Sequence, residues 1–131
     1  MSVDTMIQQA MQNVPSAVAA GIVDMSSGMM MGLKTLDSHP QEVIDLLAPT
    51  AKEYFQGKLV NQIESIFKQV RGDSSTDSYF QEIMIASKNL WHYFGRLDSD
   101  QQVVLSVVCR SDANLGMVVA TARKIKTAGS I

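Results

Sequence analysis

The sequence has few of the residues from which a disulfide framework, a metal site or a membrane anchor is built. Its 131 residues include one cysteine, Cys109, and two histidines, His39 and His92. A lone cysteine excludes an intrachain disulfide, and a zinc site needs three or four converging ligands. The apolar runs are far shorter than the roughly 20 residues that cross a bilayer. The first residues also lack the basic and apolar regions of a signal peptide. We therefore expect a cytoplasmic protein with no metal and no membrane segment, and Cys109 as an inert core thiol.

Clustered positive charge and phosphate-binding loops are absent too. The 11 basic residues are scattered among 13 acidic ones, and the formal net charge is −2. A nucleic-acid-binding domain usually carries a basic patch, so no nucleic-acid partner is predicted. No G-x-x-x-x-G-K-[ST] motif occurs, and Gly21, Gly28 and Gly32 do not form G-x-G-x-x-G. We expect the chain to bind no nucleotide and no other cofactor.

No arrangement of residues predicts catalysis. Asp37, Ser38 and His39 supply the residue types of a hydrolase triad, but a triad needs members that folding brings together into one hydrogen-bonded chain. We interpret the three residues as a polar cap before a helix. None of the arginines Arg71, Arg96, Arg110 and Arg123 is marked as a catalytic arginine finger. No catalytic, cofactor-binding or metal-ligating residue is assigned, and the chain is predicted not to be an enzyme.

The apolar content, 46% of residues against 18% charged, is that of a folded domain, and the length suits a single domain over residues 1–131. Helical spacing covers Val3–Val14 and the segment that follows a predicted cap at Asp112. Strand patterns cover Ala17–Asp24, Met29–Leu36, Phe80–Ser87, Leu90–Leu97 and Gln102–Arg110. The first and last strands are apolar on both faces, so they belong in the middle of the sheet, with helices on both sides. The pattern predicts an α/β (α+β) fold with a five-stranded antiparallel sheet.

A long second helix is predicted from Pro40 to Arg71, with Gly72 as its stop. Its apolar stripe changes direction, from Val43, Leu47, Ala51 and Tyr54 in the first half to Leu59, Ile63, Ile66 and Val70 in the second. A kink at Pro49 or Gly57 would explain the change. Contact of the second half with two neighbours, the sheet and another chain, would also explain it. The pattern leaves both explanations open.

Two blocks of sequence resemble the roadblock / dynein light chain family. The first runs from Asn13-Val14-Pro15 through Gly21-Ile22-Val23-Asp24 to Ser27-Gly28; the second runs from Val104-Leu105 through Arg110-Ser111-Asp112 into the last helix. The resemblance implies a profilin-like sheet of order 2-1-5-4-3, with the long helix on one face and the terminal helices on the other. It also implies a homodimer or a heterodimer with a related roadblock-like chain, joined through the third strand and second helix. Such members regulate or scaffold small Ras-like GTPases, or serve as dynein light chains.

The second helix and the third strand therefore supply the predicted dimer interface. An edge strand must be paired or protected, and the flank of the helix stripe is wider than one sheet requires. The predicted interface residues are Val60, Ile63, Phe67, Phe80, Glu82 and Met84. The alternative function is a small-ligand sensory domain of similar topology. An apolar pocket with a few convergent polar groups would favour that alternative, whereas a filled core and an exposed edge strand would favour protein binding.

Overall fold

A computed structural model describes all 131 residues, which form one sheet with helices on both faces. The chain runs α1 (Val3–Asn13), β1 (Ala17–Asp24), β2 (Met29–Thr35), α2 (Gln41–Gln56), α3 (Lys58–Arg71), β3 (Glu82–Ala86), β4 (Leu90–Arg96), β5 (Val103–Arg110) and α4 (Leu115–Ala128). The strand bounds agree with the predicted ones to within two residues.

The five strands form one antiparallel sheet in the order β2-β1-β5-β4-β3, which confirms the predicted order. The two strands that are apolar on both faces, β1 and β5, pair with each other inside the sheet. The short β1–β2 connection turns at Gly28, whose φ of 73° lies in the left-handed region that favours glycine. The edges of the sheet are β2 and β3.

The helices cover the two faces of the sheet unequally. α1 and α4 lie on one face, where Met6, Ala10, Val118 and Ala122 join a large core cluster with sheet residues such as Leu105. α2 lies on the other face and contributes Ala48, Ala51 and Phe55 to a smaller cluster. The predicted placement of the terminal helices on one face is confirmed, and the part of the second helix that α2 forms lies on the other face as predicted.

The predicted single helix from Pro40 to Arg71 is wrong, because the backbone divides it at Gly57. This residue is extended, with φ −63° and ψ 164°, between the end of α2 and the start of α3. A side chain at position 57 would meet the backbone carbonyl and the carboxylate of Glu53, so glycine permits the close approach. Pro49 lies within α2 and does not end it. The turn at Gly57 accounts for the change in direction of the apolar stripe.

Local caps and one strand end also differ from prediction. Asp37, Ser38 and His39 do not cap α2, whose N-cap is Pro40 with no capping side chain; the Pro40 carbonyl accepts from the amide of Val43 at 3.0 Å. α4 is capped by Asn114 instead of Asp112, because the Asn114 side chain accepts from the amide of Met117 at 3.1 Å. β3 begins at Glu82 and not at Phe80. The amide of Phe80 donates to Glu64, so it makes no bond within the sheet.

Candidate functional site

Helix α3 presents most of its apolar side chains to solvent. The exposed apolar side chains are Leu59, Ile63, Ile66, Phe67 and Val70, here called the α3 surface, and their exposed fractions run from 45% for Phe67 to 79% for Val70. The only buried side chain of α3 is Glu64, which is charged. The helix therefore does not use its apolar face to build the core of its own chain. A contiguous apolar patch of this kind typically marks a site of protein interaction.

Polar contacts hold α3 beside the segment that leads into β3. The carboxylate of Glu64 accepts the backbone amides of Tyr79 and Phe80, each at 3.1 Å. The Lys68 ammonium lies 5.5 Å from the centre of the Tyr79 ring, and the Tyr79 hydroxyl donates to Asp73 at 3.0 Å. These contacts hold the backbone of Phe80, whose side chain is 37% exposed, against α3.

The edge strand β3 pairs with β4 on one side only, over the register Glu82↔Gly95 to Ala86↔Trp91. Its other side has no strand partner within the chain. Such an edge presents unpaired amide and carbonyl groups and can accept a strand from another chain. Glu64 and Tyr79 thus join α3 to the segment that leads into the free edge of β3.

A second feature lies under α2: a cavity of about 460 Å³ between this helix and the sheet, here called the α2 cavity. Its walls include Leu33 of β2 and Leu47 of α2. The rings of Tyr54 and Phe94, which also line it, are in edge-to-face contact with centroids 5.7 Å apart. Both histidines and Arg110 line the same cavity. The α2 face of the sheet is therefore not filled by the chain's own side chains.

The polar groups of the α2 cavity differ in exposure. His92 is half-buried, its Nε2 lies 3.0 Å from the Ser87 hydroxyl, and burial lowers the pKa of its imidazole. Arg110, His39 and Asp37 are exposed at the rim. Ser106 on β5 is the polar residue on the floor. The cavity combines an apolar interior with a small number of polar and charged groups.

No three His, Cys, Asp or Glu side chains converge on a point where a metal ion could be held. Cys109 is buried, as predicted, and burial raises the pKa of its thiol. No helix has both the length and the apolar character needed to cross a membrane.

Solved structures of similar shape identify the fold. The chain superposes with a TM-score of 0.64 on a Roadblock/LC7 domain from Streptomyces avermitilis, at 14% identity, covering 98% of this chain and 94% of that one. It superposes on Myxococcus xanthus MglB with a TM-score of 0.65 at 15% identity (95% and 88% covered), and on MglB in a tetrameric arrangement with 0.68 at 16% identity (96% and 83% covered). The chain has the roadblock fold. No model of a protein family matches the sequence, and no curated protein matches it at a significant level.

Within this roadblock fold the six predicted interface residues divide between two faces. Val60, Ile63 and Phe67 follow one another at helical spacing on one side of α3, and the amide of Phe80 is bonded to Glu64 of the same helix. The side chains of Glu82 and Met84 lie on the opposite face of the sheet. Glu82 is bonded to Arg123 of α4, and Met84 packs against the α1–α4 core. These two side chains therefore do not face the α3 surface.

Sequence reasoning missed Arg96, which the roadblock fold buries completely. Its guanidinium donates to the carbonyls of Phe80 at 2.7 Å, Gln101 at 2.6 Å and Phe55 at 3.3 Å, and lies 5.0 Å from the centre of the Phe55 ring. Burial lowers the pKa of this guanidinium, and the nearby Glu64 carboxylate opposes that shift. Arg96 positions the end of α2 and the start of β3. A strand pattern carries no signal for such a residue, because all three acceptors are backbone groups.

Proposed function

We propose that the chain is a non-enzymatic, dimeric protein-interaction module that regulates or scaffolds a small Ras-like GTPase in the cytoplasm. The observation that carries the dimer is the α3 surface beside the free edge of β3. The partner is a second copy or a related roadblock-like chain. The GTPase is proposed from the resemblance to the roadblock family together with the roadblock fold.

Two features support a second copy as the occupant of the α3 surface. Glu64 holds α3 to the residues that lead into the β3 edge, so one twofold axis could pair helix with helix and strand with strand. A stable interface of this type buries roughly 1,200–2,000 Å² in total. The tetrameric arrangement of the similar MglB supports self-association of this fold. The mechanism is then binding energy alone, in which the docked dimer holds the GTPase switch segments in one of their conformations.

Phe67→Asp tests the dimer. The substitution places a charge in each copy against an apolar surface, so the dimer dissociation constant should rise at least about tenfold. Light scattering should give twice the 14.3 kDa chain mass for the parent protein and a value near one chain mass for the variant at the same concentration. Circular dichroism should show that the variant stays folded, because Phe67 is 45% exposed.

Gln62→Asp is the matched control, since it adds the same charge at an exposed position of α3 outside the α3 surface. It should leave the dimer unchanged. A Phe67→Asp variant that remains folded and dimerises as tightly as the parent would refute the proposed interface. The GTPase part is tested by pull-down of purified Ras-like GTPases loaded with GDP or with a non-hydrolysable GTP analogue. Equal absence of binding in both states would refute that part alone.

A further inference from the structure

The α2 cavity exists because the α2 face of the sheet is lined by small residues. Ala19, Gly21 and Ser106 occupy adjacent rows of β1 and β5, with Ala19 opposite Val108 and Gly21 opposite Ser106. On the other face the same strands carry Ile22, Leu105 and Val107, all buried beneath α1 and α4. Protein interiors contain few voids larger than a water molecule. A space of about 460 Å³ is instead in the range of small-molecule sites, roughly 300–1,000 Å³.

The cavity is elongated along the strands. The register sets Phe94 opposite Ser106, His92 opposite Val108, and Leu90 opposite Arg110. These three rows span about 13 Å at the usual rise of a strand. The end at Phe94 and Tyr54 is aromatic, and the middle is walled by Leu33 and Leu47. An extended apolar chain fits this shape better than a compact polar molecule does.

The charged groups gather at the opposite end. Arg110 and His92 are diagonal neighbours on the same face of adjacent strands. β2 runs in the same direction as β5, and Thr35, Ala19 and Val108 share one row. The chain that leaves β2 therefore brings Asp37 and His39 to the level of Arg110. The Arg110 guanidinium is the cation there, and the two imidazoles can add ring N–H donors, so this end suits an anionic group that accepts hydrogen bonds.

We propose that the α2 cavity binds an organic monocarboxylate with an unbranched apolar tail. The tail lies along the rows from Phe94 to His92, and the carboxylate lies at Arg110 and His92. Since a bidentate carboxylate is the natural partner of a guanidinium, Arg110 contributes the specificity for the head group. This site is separate from the α3 surface and goes beyond the proposed dimer.

Decanoate is the probe, and the two histidines are the reporters, because both line the cavity and the chain has no others. In a titration of the full chain below the micelle concentration of decanoate, the imidazole NMR signals of His39 and His92 should both shift and saturate together. Thermal unfolding should move to higher temperature with added decanoate. Decanol, which lacks the charge, should bind about tenfold more weakly. If neither histidine signal shifts, the proposal is overturned.

Variants separate the two parts of the site. Arg110→Gln, at an exposed position, should weaken decanoate about tenfold and leave decanol unchanged. Ser106→Leu, which fills the floor, and Leu47→Phe, which fills the wall, should abolish binding without lowering the unfolding temperature of the free protein. If decanoate binds both folded filling variants as tightly as the parent, the cavity is not its site. If Arg110→Gln weakens the binding of decanoate and of decanol equally, or weakens the binding of neither, the carboxylate does not lie at Arg110.

Phe67→Asp distinguishes this site from the proposed dimer. The variant should bind decanoate as tightly as the parent, because Phe67 lies outside the α2 cavity. Failure of decanoate binding in the parent protein would leave the dimer proposal intact, and a monomeric parent protein that binds decanoate would leave this proposal intact.

Discussion

Arg96 is a buried charge whose partners are carbonyl oxygens from three separate segments. Its bonds to Phe55, Phe80 and Gln101 join the end of α2, the start of β3 and the turn before β5. A guanidinium suits this position because it offers several donors in a fixed plane. At the residue scale, stability on the α2 face depends on such polar contacts as well as on apolar packing.

Arg96→Met should lower the free energy of unfolding by at least about 3 kcal/mol, because three carbonyl groups lose their donor while the apolar volume is kept. Urea denaturation followed by circular dichroism measures the loss. Arg96→Lys should give an intermediate loss, since a single ammonium cannot reproduce the planar fork. A Met variant within about 1 kcal/mol of the parent would show that packing on Phe55, and not hydrogen bonding, is the role of the side chain.

Glu82 connects β3, β4 and α4 through its carboxylate. It accepts from Arg123 at 2.8 Å and from the hydroxyl of the buried Tyr93 at 2.6 Å. The bonds from Arg123 hold the pKa of Glu82 below its usual value of 4.5, partly opposed by burial. Burial, together with the bond to Glu82, raises the pKa of Tyr93.

The lowered pKa of Glu82 makes its contribution to stability depend on pH. The contribution is fully present above the unfolded value near 4.5, and it is lost as the pH falls through the lower folded value. The difference in unfolding free energy between the parent and Glu82→Gln should therefore shrink as the pH falls from 7 to 3. At pH 7 we expect this difference in unfolding free energy to be under about 1 kcal/mol, since the Arg123 side chain is 60% exposed and solvent screens the pair. The double variant Glu82→Gln, Arg123→Gln should lose no more stability than Glu82→Gln alone; additive losses would contradict this pairing.

Helices α2 and α3 correspond to one predicted helix, but their apolar side chains face different surroundings. α2 covers the sheet with small and aromatic residues and leaves the α2 cavity beneath it, whereas α3 keeps a charged residue inside and apolar residues outside. The division at Gly57 allows the two halves to face different neighbours. At the element scale, the break at Gly57 is the kink that one of the two explanations required, and contact of α3 with another chain stays a prediction.

Gly57→Ala should lower the free energy of unfolding by roughly 1–3 kcal/mol, because its side chain meets the carbonyl of Glu53 and forces the backbone to shift. Thermal and urea denaturation measure the change. Gly116→Ala, a glycine inside α4 where the added methyl has more room, should be neutral or stabilising. If Gly57→Ala instead gains helical circular dichroism signal and stability, α2 and α3 have merged and the break has no steric cause.

The whole molecule has two sheet edges, β2 and β3, but only β3 follows the segment whose amides are bonded to Glu64 of α3. If the dimer joins β3 to its copy, the outward backbone groups of that strand become hydrogen-bonded on association. The opposite edge β2 then stays free. The asymmetry of the two edges provides an internal control that needs no substitution.

Hydrogen exchange at the scale of the whole molecule should follow this asymmetry. Amides of β3 and α3 should exchange more slowly as protein concentration rises, whereas the outward amides of β2 should not change. Exchange measured by mass spectrometry at several concentrations provides the comparison. In Phe67→Asp the protection of β3 should be lost. Protection that appears in β2 and not in β3 would place the interface at the other edge.

The sequence by itself determined the strands, their antiparallel arrangement and the helix pair α1 and α4. The apolar run on both faces of β1 and the helical stripe that includes Val118, Ala122 and Ile125 reflect burial by neighbours, and such burial can be seen in the sequence. The strand order came from the family resemblance, and the structure agrees with it. The interface residues remain a prediction, with Ile63 and Phe67 exposed together on α3.

Only the tertiary structure decided the break at Gly57, the buried Arg96, the role of Glu64 and the α2 cavity. The break at Gly57 depends on its close approach to the carbonyl of Glu53, which a helical pattern does not encode. Arg96 and Glu64 form hydrogen bonds with backbone atoms, which every residue carries. The cavity depends on small residues of two strands standing opposite a helix that does not reach them. Each of these features is a relation between residues distant in the chain or between backbone groups, so no periodicity within one segment records it.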